Sequence, residues 1–378
     1  MIHLPRADHV GSLLRPDALK KAHRAHMEGR IDGAALEETV AACIADAVRH
    51  QEEVGLQNVT DGEFRRGSWF LGFVESLSGI ELKKAELMFR LGGHEATWFG
   101  PVVTGKLARK HPIVVDDYRF VAGITTRTPK VTLPTPSILH FFAGKAGMDP
   151  ECYAGRDALA EDLCAIYRQE IDELYRAGCR AVQFDEVALA LLCDESIRAS
   201  LKAGGEDPAA LTDYYFEMIA AALRDKPSDL AVLMHLCRGN YKGHWMGQGG
   251  YDPIAERLFA APGIDGFLLE YDSERAGSFA PLRFVPAGKR AYLGLVSTKT
   301  GALEDLDTLR RRIDEAAQHA PQERLGVCPQ CGFASSAGGN PITEAEQWAK
   351  LARVTELARA VWGRTDFDGH SGARVGRG

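Results

Sequence analysis

The chain has 378 residues, 45% hydrophobic and 26% charged, with a formal net charge of -7. That is ordinary globular usage with enough apolar chain for a large core, and the negative balance excludes a nucleic-acid partner, which would need a basic face. No apolar run is long enough to span a bilayer, so a membrane partner is excluded as well.

The first residues, MIHLPRADHV, carry no signal pattern. Eight cysteines without such a signal predict reduced thiols in a cytoplasmic chain, most of them small core residues. From there, strand-sized apolar runs end in turn at RADHVGSLL, NVTDGEF, PKVTLPTP, AVQFDE, AVLMHLC, GFLLEY, AYLGLVS and RLGVCPQ. Helix-patterned stretches separate them. In ALAEDLCAIYRQEIDELYRAG (158–178) the apolar positions recur three and four apart before Gly178 stops the pattern. Near-continuous apolar strands alternating with helices predict a parallel sheet. Eight of them predict an α/β fold, a single (β/α)8 TIM barrel over residues 1–362. The alternation breaks at 79–126, where ATWFGPVVTGKL and HPIVVDDYRFVAG read as extra strands, a β-rich insertion between the second and third barrel strands. The tail 363–378 lacks apolar periodicity and is expected to be mobile.

A barrel carries its chemistry at the C-terminal ends of its strands, and the unusual polar residues of this chain fall there. His9, Gly11 and Ser12 follow the first strand, and Asp61 and Glu63 the second. Asp185 and Glu186 end the fourth, His235 and Cys237 the fifth, Glu270 the sixth, and Cys328 and Cys331 the eighth. A lone histidine in an apolar run is usually a core residue. Residues two apart on a strand share a face, however, so His235 and Cys237 both reach the barrel mouth. With CPQC at 328–331 they form a nitrogen and sulfur set suited to Zn²⁺. Both cysteines together would close a structural site, whereas one would leave a position open for substrate. Residues three apart in an extended segment face opposite ways, which points to one cysteine, and Glu270 stands where it can take the fourth position.

The stretches RADHVGSLLRP, VTDGEFRRGSW, QFDEVAL, HLCRGN, LLEYDSERAGSF, GLVSTKTGALED and CPQCGFASS, in this order from residue 6 to about 340, resemble the catalytic barrel of cobalamin-independent methionine synthase in its short single-barrel form. The resemblance implies a zinc-dependent methyltransferase that makes methionine from homocysteine and a 5-methyltetrahydrofolate-type donor. It implies zinc on His235, Cys237, Glu270 and Cys331, with Cys328 left to packing. Glu63 and Asp185 match the acids that hold the homocysteine ammonium group, and Ser12 with the backbone near Gly11 matches the carboxylate-binding segment. Asp61 and Glu186 read as supporting or helix-capping residues beside them. The partners implied are small molecules, and a homo-oligomer is left open.

The sequence departs from the full-length family in three ways. It lacks the N-terminal barrel, Val296 stands where the family has a proton-donating histidine, and Phe142 is the nearest counterpart of the tryptophan that stacks on the pterin. A folate nitrogen is a poor leaving group without an acid. His140 and His244 are the remaining histidines considered for that role, and Lys299, Arg65, Arg66 and Trp69 are expected around the mouth. A competing reading is a zinc-dependent thiol alkyltransferase or lyase of the epoxyalkane–coenzyme M type. Its sulfonate would require cations where this chain has Glu63 and Asp185.

Overall fold

Strands whose residues are buried on both faces need helices on both sides of the chain path, and this requirement organises the fold. The computed structural model describes residues 2, 4–84, 89–91, 94–96, 99–143 and 151–363. In chain order the strands are β1 (Asn58–Val59), β2 (Leu77–Lys84), β3 (Phe89–Leu91), β4 (His94–Ala96), β5 (Phe99–Arg109) and β6 (Thr128–Pro134). They continue with β7 (Ala181–Glu186), β8 (Ala231–Leu236), β9 (Gly266–Glu270), β10 (Arg290–Val296) and β11 (Leu325–Pro329). Seven of them form one curled parallel sheet in the order β1-β6-β7-β8-β9-β10-β11.

The opening segment supplies the remaining stave. Ala7 bridges Val327 of β11 in parallel, with Asp8 N–H donating to the Val327 carbonyl at 3.0 Å and Val327 N–H to that of Arg6 at 2.9 Å. On its other side Leu13 N–H donates to the Gly62 carbonyl at 3.1 Å, and Asn58 Nδ2 donates to Asp8 Oδ2 at 2.8 Å. The eight strand ends read from the sequence all fall on this frame.

Between β1 and β6 the chain leaves the barrel. β2 pairs antiparallel with β5, and β3 with β4. One expectation is corrected here: HPIVVDDYRFVAG holds a helix, Val115–Ile124, and not a strand. Its buried Val115, Tyr118 and Val121 are spaced three apart, and Asp116 and Asp117 in the first turn favour the helix dipole. The last helix, Glu344–Trp362, starts on a capping box of Thr343 and Glu346 and ends on Gly363 at φ 72°. The rest of the tail, 364–378, lies outside the described residues.

Strand alternation divides the core. Val182, Phe184, Val232, Met234, Phe267 and Leu269 pack with the surrounding helices, while Val10, Leu233, Leu268, Tyr292 and Cys328 form a small separate cluster. Each of the inward residues Leu233 and Leu268 sits between two outward ones, so this second cluster is the barrel interior. Beside it lies a polar network. Lys130 Nζ donates to Asp8 Oδ1 at 2.8 Å, to Gln183 Oε1 at 2.9 Å and to the His9 carbonyl. Gln183 Nε2 in turn donates to Asp185 Oδ1 at 2.7 Å. Both charged side chains of the Asp8–Lys130 pair are fully buried, so removing one strands the other in low dielectric. Lys130→Met should therefore lower urea-unfolding stability by about 3–5 kcal/mol, and Asp8→Asn/Lys130→Met should recover part of the loss. A single-variant loss below about 1 kcal/mol would show that the barrel does not depend on the pair.

Candidate metal centre and amino-acid site

The parallel register of β8 and β9 pairs His235 with Leu268. This brings the Leu268 carbonyl 3.2 Å from His235 Nδ1. A carbonyl can only accept, so Nδ1 carries a proton, and in the neutral ring the lone pair lies on Nε2. Nε2 is buried and has no hydrogen-bond partner among the described residues. Cys237, two residues on, faces the same way, and its N–H donates to the Glu186 carbonyl at 2.8 Å. Cys331 comes from the loop after β11 and brings its sulfur to 3.5 Å from that of Cys237. One ligand atom from each of the three lies within 4.8 Å of the others, and all three residues are buried.

Burial alone would push the His235 imidazole down, but Cys331, Asp185 and Glu270 around it push it up to about 9. Cys331 is held well below the ordinary thiol range, first by the Cys237 thiol donating to it and then, against burial, by His235. Cys237 is pushed up in return, chiefly by donating to Cys331 and by burial. An orphaned imidazole nitrogen facing two sulfurs is a donor set that fits Zn²⁺.

Glu270 stands beside these three residues and outside the cluster they form. Its Oε1 accepts from the Arg238 N–H at 2.6 Å. Its Oε2 accepts from Arg275 Nη2 at 2.9 Å and from Gln330 Nε2 at 3.3 Å. Cys328 lies deeper, among Val10, Leu233, Leu268 and Tyr292. The two cysteines of CPQC are separated by depth, because β11 ends at Pro329 and the chain turns before Cys331.

The first, second and third strand ends converge next to this cluster. Glu63 is buried with its backbone at φ 61°, a left-handed conformation that costs a non-glycine residue about 1–3 kcal/mol. Arg15 secures it by donating to the carbonyls of Glu63 at 2.6 Å, Arg66 at 2.9 Å, Ala334 at 2.9 Å and Leu13 at 3.2 Å. Thr132 Oγ1 donates to Glu63 Oε1 at 3.0 Å and accepts from Arg66 Nη2 at 2.6 Å. Glu63 Oε2 is left buried without a hydrogen-bond partner among the described residues. Burial and then the nearby Glu63 push the Asp185 carboxyl up to about 7, while His235, Gln183 and Arg66 oppose the shift.

Gly11, at φ 130°, leaves room that a Cβ would take from Thr132 Cγ2 at 2.8 Å. Gly332 allows Ser12 to lie against the Cys331 loop, since a Cβ there would sit 2.0 Å from Ser12 Oγ. His9 is buried, and burial followed by Lys130 pushes its imidazole down to about 3. Glu186 accepts from Thr135 at 2.6 Å, Ser137 at 2.8 Å and the Leu189 N–H at 2.7 Å, which makes it a brace for the loop after β7. Asp61 Oδ1 accepts the Glu63 N–H at 2.9 Å. Phe142 belongs to the helix Ser137–Ala143, and its side chain lies outside the described residues.

At the mouth, Arg66 is buried, Arg65 pairs with Glu37 and Asp117, and Lys299 pairs with Asp272 at 3.0 Å. Val296 is buried in the apolar core. His140 Nδ1 meets the Tyr215 hydroxyl at 2.8 Å, and His244 is exposed. Sequence reasoning missed Lys130, Thr132 and Gln183. Their signal was present, since Lys130/Thr132 and Gln183/Asp185 repeat the two-residue polar spacing of His235/Cys237 inside otherwise apolar strands. Arg15 lies in a loop and Arg275 in the 3-10 turn Glu274–Ala276, and neither gave a periodic signal.

A parallel barrel with a His–Cys–Cys cluster at its C-terminal end defines a candidate metal–thiol enzyme. Residues 4–354 match the family described as cobalamin-independent synthase, catalytic domain. The chain belongs to this family of methyltransferases. It is 40% identical to the uncharacterized protein YxjG of Bacillus subtilis over 94% of both chains. It is 25% identical to a methionine synthase of Sulfolobus acidocaldarius over 86% of this chain and 84% of that one. A crystal structure from Listeria monocytogenes, described as a candidate vitamin-B12-independent methionine synthase, superposes with a TM-score of 0.76 at 32% identity, covering 96% of this chain and 100% of that one.

The two CPQC cysteines should separate in a metal titration. Cys328→Ala is expected to keep the wild-type zinc stoichiometry, and Cys331→Ala to lose it, as measured by elemental analysis after dialysis. Equal loss in both variants would mean that Cys328 is a ligand.

Proposed function

We propose that the protein methylates the thiol of homocysteine to give methionine, with a zinc ion held by Nε2 of His235 and the sulfurs of Cys237 and Cys331. The observation that carries this reading is the unpartnered, buried Nε2 of His235, opposite two sulfurs and beside a pair of buried acids. Zinc, when bound, supplies the Lewis acidity that keeps a ligated thiol ionised at neutral pH.

The chain's own residues recognise the rest of the amino acid. Glu63 Oε2 and Asp185 hold the ammonium group, whose charge relieves the repulsion that burial imposes on the two acids. Ser12 and the backbone near Gly11 hold the carboxylate. Arg66 is consumed by Thr132 and by the Trp69 carbonyl at 3.2 Å, which argues against a sulfonate-bearing thiol in this pocket. The sulfur then attacks the methyl carbon in line as the bond from the methyl group to the donor atom breaks and leaves its electron pair on that atom, and the fixed ammonium and carboxylate contacts hold the reacting atoms in reach.

The donor is a 5-methyltetrahydrofolate-type compound on the strength of the family. A second reading, a donor with a better leaving group, is favoured by Val296, which puts a buried aliphatic side chain where the resemblance calls for an acid. Methionine formation from homocysteine separates the two. The donors are methyltetrahydrofolate with one and with three glutamates against a sulfonium compound, with His235→Ala as control. Turnover with folate, lost in the control, supports the first reading, whereas turnover only with the sulfonium compound supports the second. No product with either donor would overturn both. Glu63→Gln should raise the homocysteine KM about tenfold or more, the cost of one charge-assisted contact, without loss of zinc. An unchanged KM would remove Glu63 from the ammonium site.

A further inference from the structure

The loop that follows Cys237 is built as a tight hairpin that the reaction above leaves unused. Tyr241 N–H donates to the His244 carbonyl at 2.9 Å, and His244 N–H to that of Tyr241 at 3.0 Å. The central residues, Lys242 and Gly243, have φ of 52° and 80°. Positive φ at both central residues is the pattern of a type I′ hairpin turn. For Lys242, which carries a Cβ, that conformation is costly. Gly239, at φ 85°, lets the loop fold back, since a Cβ there would sit 2.6 Å from Met246 Cγ.

The hairpin is tied to two strand ends. Asn240 Nδ2 donates to the Gly332 carbonyl at 2.8 Å, and the Asn240 carbonyl accepts from Ser335 Oγ. Gly243 N–H donates to Asn340 Oδ1 at 3.2 Å, and Asn340 Nδ2 to the Thr298 carbonyl at 2.9 Å. The loops after β10 and β11 thus hold the turn, and Gly332 is the neighbour of Cys331. A turn fixed at this many points presents its aromatic side chains instead of burying them. Tyr241 and Trp245 are each 42% exposed, and among the described residues they are the only aromatic ones in the set of exposed large hydrophobics. The Trp245 ring lies 4.9 Å from the Arg275 guanidinium, which donates to Glu270 at 2.9 Å, so the ring stands at the rim of the cluster. Lys242 is exposed, with its ammonium 5.4 Å from the centroid of the Tyr241 ring.

Single exposed apolar side chains are ordinary on a protein surface. Two rings and a cation on one strained, anchored turn beside a reactive centre are a recognition surface. Their chemistry fits a planar ring that carries anionic groups, the ring against Trp245 and Tyr241 and the charge toward Lys242. Homocysteine has no ring, which leaves the methyl donor as the occupant. We propose that the hairpin Tyr241–His244, with Trp245, is the outer wall of the donor site. It stacks a planar ring of a folate-type donor on Trp245 and Tyr241, while Lys242 meets the donor's carboxylates. The inference rests on the folate reading above and adds the residues that select the donor.

Equilibrium dialysis of the zinc-loaded full chain against methyltetrahydrofolate, with one and with three glutamates, tests it. Trp245→Leu should weaken both about fivefold or more, the cost of one lost stacking partner, and Trp245→Phe should stay within about threefold of wild type. Lys242→Gln should weaken the triglutamate about threefold and the monoglutamate less. Homocysteine affinity and zinc content should keep wild-type values in each variant, a pattern that misfolding does not produce. The fragment, 6-methylpterin or p-aminobenzoylglutamate, whose binding falls in Trp245→Leu carries the stacked ring. Donor affinity within about twofold of wild type in Trp245→Leu overturns the inference alone. A wild-type chain that binds neither folate overturns the folate reading and this inference with it.

Discussion

One hydrogen bond, from His235 Nδ1 to the Leu268 carbonyl, decides what the centre of this molecule can do. It keeps a proton on Nδ1 and turns Nε2, the nitrogen with the lone pair in the neutral ring, toward two sulfurs. The bond exists because β8 and β9 run in parallel register with His235 opposite Leu268. That register follows from burying Leu233 and Leu268 on the inner face while Met234 and Phe267 face the helices. A slip of one residue would turn His235 and Cys237 outward together.

Charge is the second constraint. The interior holds Lys130, Asp8, Asp185, Glu63, Arg66, Glu270 and Arg275 with little exposure, and burying such groups is costly unless each is paired. The pairs are graded by depth. Asp8 and Lys130 are closed off near the opening segment. Gln183 passes the network upward to Asp185. At the strand ends Glu63 keeps one oxygen without a partner and His235 one nitrogen. These two unpaired atoms stand where a ligand can meet them.

The barrel was legible because strand-sized apolar runs alternate with helix-patterned stretches, and six of the eight strands end in polar residues that an apolar strand does not need. The meeting of His235 and Cys237 in one His–Cys–Cys cluster was legible from their spacing, since they stand two apart on a strand. The helix Val115–Ile124 was misread because its valines and aromatic residues suit a strand, and only the spacing of Val115, Tyr118 and Val121 separates the alternatives. The engagement of Glu270 was not legible. It depends on Arg275, Lys299 and Gln330 arriving from three different loops or strand ends, and no local pattern encodes that meeting.

The central claim is that a metal on His235, Cys237 and Cys331 accepts the substrate's thiol. Zinc-edge X-ray absorption of the loaded protein, with and without homocysteine, measures this directly. The account predicts about two sulfurs at about 2.3 Å in the free protein and about three when homocysteine is added. A sulfur count unchanged by homocysteine would contradict it.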